Sequence, residues 1–142
     1  MMTPGMLAKL RRSLIQHEGY EKFPYIDTVG KITIGIGYNL TDRGMDDDWI
    51  NKEYIKDVAY FYHQLSQYSW YLDLNPDRQI ILIDMAFMGW KRFIEFEDMI
   101  KALEQGDYVT ASKEMLQSKW AEQTKRRAET LAQGMLTGEY NI

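Results

Sequence analysis

The chain has 142 residues, 45% hydrophobic and 27% charged, and no cysteine. That is enough apolar matter for one packed domain, and it excludes disulfides, thiolate metal sites and thiol nucleophiles. A formal net charge of −4 argues against a general nucleic-acid binder, which draws on a basic excess.

No window approaches the apolar length of a membrane span, and the charge-interrupted N-terminus is a poor secretory signal. Synthesis in the cytoplasm without a signal peptide is therefore expected. Without repeats or a Pro/Gly-rich linker, residues 1–142 read as a single domain.

Thr3 and Pro4 read as an N-cap and a first-turn proline. Leu7, Leu10 and Leu14 follow at helical spacing and lead to His17 and Glu18, where Gly19 breaks the helix. Tyr20 to Gly37 predicts a small β-hairpin or meander turning at Asp27 to Gly30. In its last strand, alternation sends Ile32, Ile34 and Ile36 to one face, and Thr33, Gly35 and Gly37 to a nearly bare one. Asn39 to Gly44 reads as loop, and Asp46, Asp47 and Asp48 mark a helix start where carboxylates suit free amides.

A long amphipathic helix is then predicted over 51–68, striped by Ile55, Val58, Tyr62 and Leu65. A mostly apolar, central helix starts at Asn75-Pro76 and stops at Gly89, and shorter helices follow over about 95–105, 107–117 and 124–133. Strands segregated near the N-terminus of a mostly helical chain make the class α+β.

Two carboxylates stand out. Glu18 ends the apolar stripe of the first helix, so partial shelter is expected, as suits a general acid. Asp27 sits at a turn, wetter, as suits a general base or a charge stabiliser. Thr33 can orient a water, and Gly35 and Gly37 let a bulky ligand approach the backbone. Two acids in different environments are what glycosidic cleavage needs. Each piece also has a plainer explanation: a glutamate that caps a helix, an aspartate that makes a turn, glycines in a twisted edge strand.

The spelling of this segment resembles phage-type lysozymes, the T4-like endolysin muramidases. Their pattern is Glu, eight residues, Asp, five residues, Thr, then I-G-x-G; here it falls on Glu18, Asp27, Thr33 and Ile34-Gly35-Ile36-Gly37. A weaker match at Trp120, Gln123, Thr124 and Arg127 resembles the late helix that packs behind the acid in that family.

The resemblance implies a lysozyme-like fold, with a small β-containing lobe over about 19–50 joined by a long helix to a larger helical lobe. It implies a glycoside hydrolase without metal or cofactor, acting as a monomer on peptidoglycan glycan strands in the periplasm after release. Glu18 would be the acid, Asp27 with Thr33 would activate water with inversion, and Arg127 would pair with Glu18. Three departures stand out: Tyr38 replaces a histidine common in that family, the chain is shorter after the hairpin, and it is acidic. A lysozyme-like binding or localisation module is the alternative.

Asp84 lies inside an otherwise apolar run, Ile80 to Phe87, and requires a partner unless it lies on a polar edge. His17 is the expected partner. His17 and His63, with no cysteine and no HExxH, do not suggest a metal site. The aromatic run Tyr60-Phe61-Tyr62 with Tyr68, Trp70 and Tyr71 could stack sugars, but its helical spacing reads more simply as core and inter-lobe packing, and the methionines at 85, 88 and 99 read as core filler. The cations Lys119, Lys125 and Arg126 read equally well as a solvated helix face or as a contact for anionic wall polymer.

Overall fold

Each element starts where the sequence supplies a partner for otherwise free backbone groups. In a computed structural model describing residues 1–142, the Thr3 hydroxyl accepts from the Met6 amide at 3.2 Å and Pro4 enters the first turn, opening α1 (Pro4–Glu18). Gly19, at φ 87°, closes it. The chain divides into two compact units, Met1–Glu53 and Tyr54–Ile142.

In the first unit, β1 (Glu21–Ile26), β2 (Ile32–Gly35) and β3 (Tyr38–Asn39) form an antiparallel meander in that order. Tyr25 pairs with Thr33 and Ile26 with Ile32, but the register is irregular between Glu21 and Tyr25. Pro24 lies in that stretch and has no amide to give the ladder. The Asp27 amide donates to the Lys31 carbonyl at 2.9 Å and closes the first turn.

Two expectations for this segment change. The last strand does not run on to Gly37. It stops at Gly35, and Gly35 and Gly37, at φ 66° and 63°, turn the chain so that Ile34 pairs with Tyr38. These glycines are there for left-handed backbone that other residues adopt at a cost. The segment 39–44 is also not plain loop: Asn39 accepts from the Asp42 amide at 3.0 Å and opens a short helix, α2 (Leu40–Arg43). Asp46 likewise accepts from the Trp49 amide at 2.8 Å at the start of α3 (Asp47–Leu65), whose first turn holds Asp47 and Asp48.

In the second unit, α3 is followed by α4 (Ser69–Leu72), α5 (Pro76–Ala86), α6 (Trp90–Phe93), α7 (Glu97–Glu104), α8 (Tyr108–Leu116), α9 (Lys119–Thr124) and α10 (Arg126–Thr137). The core is built from Leu65, Tyr71, Ile81, Leu82, Met85, Phe93, Met99, Leu103, Met115, Leu131 and Met135, all fully buried. The helix from Pro76 is thus central on one face only; Ile80 stays exposed.

The start of α5 caps the end of α10. Arg78 donates from Nε to the Met135 carbonyl at 2.8 Å and from Nη2 to that of Leu136 at 3.2 Å, and Asn75 donates to that of Gly138 at 2.9 Å. The last carbonyls of a helix have no partner within it, and these side chains supply one. The helix expected over 124–133 is present as α10 from Arg126, and Lys125, at φ 45°, separates it from α9, a short helix beyond those expected. No helix is long and apolar enough to cross a membrane.

Candidate functional site

Glu18, Asp27, Thr33, Gly35, Gly37 and Tyr38 all lie in the first unit. Asp27 follows β1, and its own turn fixes its carboxylate: Oδ1 accepts from the amides of Val29 at 3.0 Å and Lys31 at 2.8 Å. This Asx-type closure sets the plane of the carboxylate and leaves Oδ2 without an amide donor. Thr33, on β2, is buried, with 4% of its surface exposed. Its hydroxyl lies 3.3 Å from the Lys31 carbonyl and 3.5 Å from Asp27 Oδ2, and the second separation is long for a hydroxyl bond. The Thr33 face is therefore not the open, bare floor that alternation suggested. It is a packed surface that holds one hydroxyl beside one carboxylate oxygen.

Glu18 is the last residue of α1. It meets the hairpin through Gly37: a methyl group at that α-carbon would lie 2.9 Å from Glu18 Oε2, 3.0 Å from its Cβ and 3.1 Å from its Cγ. Glycine is the residue that fits this approach, and the preceding turn aims it there. The environments of the two acids are the reverse of those expected. Glu18 is exposed, whereas Asp27 is half-buried. The stripe argument needed an apolar surface to shelter the end of α1, but α1 buries no residue and Leu7, Leu10 and Leu14 are exposed. Asp27 is covered by its own turn and by Thr33.

The remaining expected residues divide between the units. His17 is exposed on α1. Asp84 on α5 and Arg127 on α10 belong to the second unit and bind one another. Arg127 donates to Asp84 Oδ1 from Nε at 2.9 Å and from Nη2 at 2.7 Å, and Nη2 also bonds the Asp84 backbone carbonyl. A guanidinium fork is well shaped for this two-pronged contact. The carboxylate in the apolar run does have the partner it requires, and that partner is an arginine. The pair lines a cavity of about 630 Å³ with Tyr54, Val58, Ile80, Ile83 and Phe87.

Sequence reasoning missed the frame behind the hairpin. Lys31 Nζ pairs with Asp42 Oδ1 at 2.9 Å, which raises the pKa of the lysine and lowers that of the aspartate. The Ile32 amide donates to the Thr41 hydroxyl at 2.7 Å, and Asn39 donates to Asp42 at 3.0 Å. The signal was present as Asn39-x-x-Asp42, the spacing of a helix cap. No cluster of histidines, aspartates and glutamates is arranged to hold a metal ion.

The phage lysozyme family matches residues 15–135, a span that includes both acids, Thr33, Asp84 and Arg127. A probable T4-type lysozyme from Dictyostelium discoideum is 26% identical over 167 aligned residues, covering 96% of this chain and 98% of the relative. With most of its length matched, this chain belongs to the phage lysozyme family.

Proposed function

We propose that the chain is a peptidoglycan muramidase that hydrolyses the β-1,4 bond between N-acetylmuramic acid and N-acetylglucosamine with inversion, and that it acts as a phage endolysin in host lysis. Membership in a lysozyme family supports a lysozyme-like glycoside hydrolase. The observation that carries the reading is the frame of the two acids: Glu18 seated against Gly37, and Asp27 tethered through Oδ1 with Oδ2 beside the Thr33 hydroxyl.

In the mechanism, Glu18 gives its proton to the leaving glycosidic oxygen. Water attacks the anomeric carbon from the opposite face and passes its proton to Asp27 Oδ2, with the Thr33 hydroxyl holding that water in place. An inverting pair of carboxyls stands about 6.5–9.5 Å apart, leaving room for the water. The enzyme works as a monomer without a cofactor. It is made in the bacterial cytoplasm and reaches the periplasmic wall after release.

The test is the release of reducing ends from purified peptidoglycan by native protein and by Glu18→Gln. A fall of about 10²–10⁴-fold in the variant is expected for loss of a general acid. Equal, negligible release from both would overturn the enzyme and favour a lysozyme-like binding or localisation module, whose protein contacts a net charge of −4 suits better than it suits attraction to an anionic wall. A product of retained anomeric configuration would overturn the inverting assignment.

A further inference from the structure

Gly37 touches Glu18 only if the short strand that follows it is held in place, and the ladder does little of that holding. β3 is two residues long and pairs with β2 through Ile34 with Tyr38 and Thr33 with Asn39. So short a ribbon is marginal without side-chain support.

Tyr38 supplies that support in three directions. Its hydroxyl donates to the Gly44 carbonyl just past α2. The Arg43 guanidinium lies over its ring at 4.2 Å from the centroid. Trp49, in the opening turns of α3, meets it edge-on at 5.6 Å.

We propose that Tyr38 is the positioning residue for Glu18: it anchors β3 to α2 and to the start of α3, and so keeps Gly37 seated against the acid. The inference rests on the muramidase reading of Glu18 and deepens it. The Asp27 side has separate anchors, namely the Val29 and Lys31 amides, the Lys31–Asp42 pair and the Thr41 hydroxyl on the Ile32 amide. Loss of Tyr38 therefore disturbs the acid and spares the base.

The experiment compares Tyr38→Ala and Tyr38→Phe with native protein in reducing-end release, with thermal unfolding measured alongside. Phenylalanine keeps both ring contacts and loses one hydrogen bond. For alanine, kcat should fall about 10–100-fold, the scale of a misplaced reacting group. KM should change by less than about threefold, because substrate binding is not what is lost. Phenylalanine should restore kcat to within about threefold of native.

Native kcat in Tyr38→Ala, or equal loss in both variants, overturns the proposal. If alanine fails to fold, Arg43→Met and Trp49→Leu each remove one anchor; a fall in kcat in each supports the proposal, and native kcat in both overturns it. If native protein releases no reducing ends, the muramidase reading fails, and positioning is read instead from the ¹³C shift of the Glu18 carboxyl. A shift moved in Tyr38→Ala and restored in Tyr38→Phe supports positioning, and an identical shift in all three proteins overturns it.

Discussion

Replacing Gly37 by alanine separates two costs that the hairpin combines. The first is backbone strain: at φ 63° an ordinary residue is left-handed, which costs about 1–2 kcal/mol. The second is contact. The new methyl would lie 2.9 Å from Glu18 Oε2 and 3.0 Å from its Cβ, whereas carbon atoms in good contact stand about 3.5–4.0 Å apart. Oε2 can swing away, but Cβ belongs to the helix backbone unit, so α1 or the hairpin must shift by about half an ångström or more to restore that spacing.

Gly106 isolates the first cost. It has φ 68° and nothing within 4 Å of an added methyl, and it lies between α7 and α8 in the other unit. Gly106→Ala should lose about 1–2 kcal/mol in urea unfolding, and Gly37→Ala at least as much, because it also carries the contact. Only Gly37→Ala should also lose kcat, by about tenfold or more, since misplacements of this size are costly to catalysis. Equal activities in the two variants would refute the claim that Gly37 sets the place of Glu18.

The buried phenol of Tyr71 gives the alkaline counterpart. Burial, with a smaller contribution from Tyr62, raises its pKa from 10.0 to about 12. The folded state therefore keeps a proton that the unfolded state releases. Titration of the phenol thus leaves stability unchanged below pH 10 and removes up to about 3 kcal/mol as pH rises from 10 through 12. Tyr71→Phe gives up the 3.2 Å bond to the Gln79 carbonyl, worth about 1 kcal/mol, at neutral pH. Denaturant titrations should therefore cross, with the variant weaker at pH 7 and stronger near pH 12; parallel curves would contradict the burial argument.

For Asp84 and Arg127, half-open to solvent at 35% and 44% side-chain exposure, a double-mutant cycle with Asn and Met should give a coupling of about 1 kcal/mol, near the top of the range for exposed pairs because the contact is two-pronged. A coupling indistinguishable from zero would mean that the fork adds nothing to stability.

The sequence by itself determined what is local. Helix starts at Thr3, Asp46 and Asn75 were legible because a short polar side chain accepts from an amide three residues on. The first hairpin turn was legible through Asp27 and Gly30, and the acids were legible through their spacing. Short helices such as α2, and the break at Lys125 between α9 and α10, were not, because a single turn or one unusual φ leaves little periodicity to detect.

Only the tertiary structure decided the partners. Alternation made Gly35 and Gly37 a bare strand face, while chain reversal made them a turn that seats one of them on Glu18. The apolar run told that Asp84 needs a partner, but residues far apart in sequence become neighbours only through packing, and packing brought Arg127. The relative exposure of the two acids is also tertiary, because a helix stripe says which face is apolar and not what, if anything, covers it.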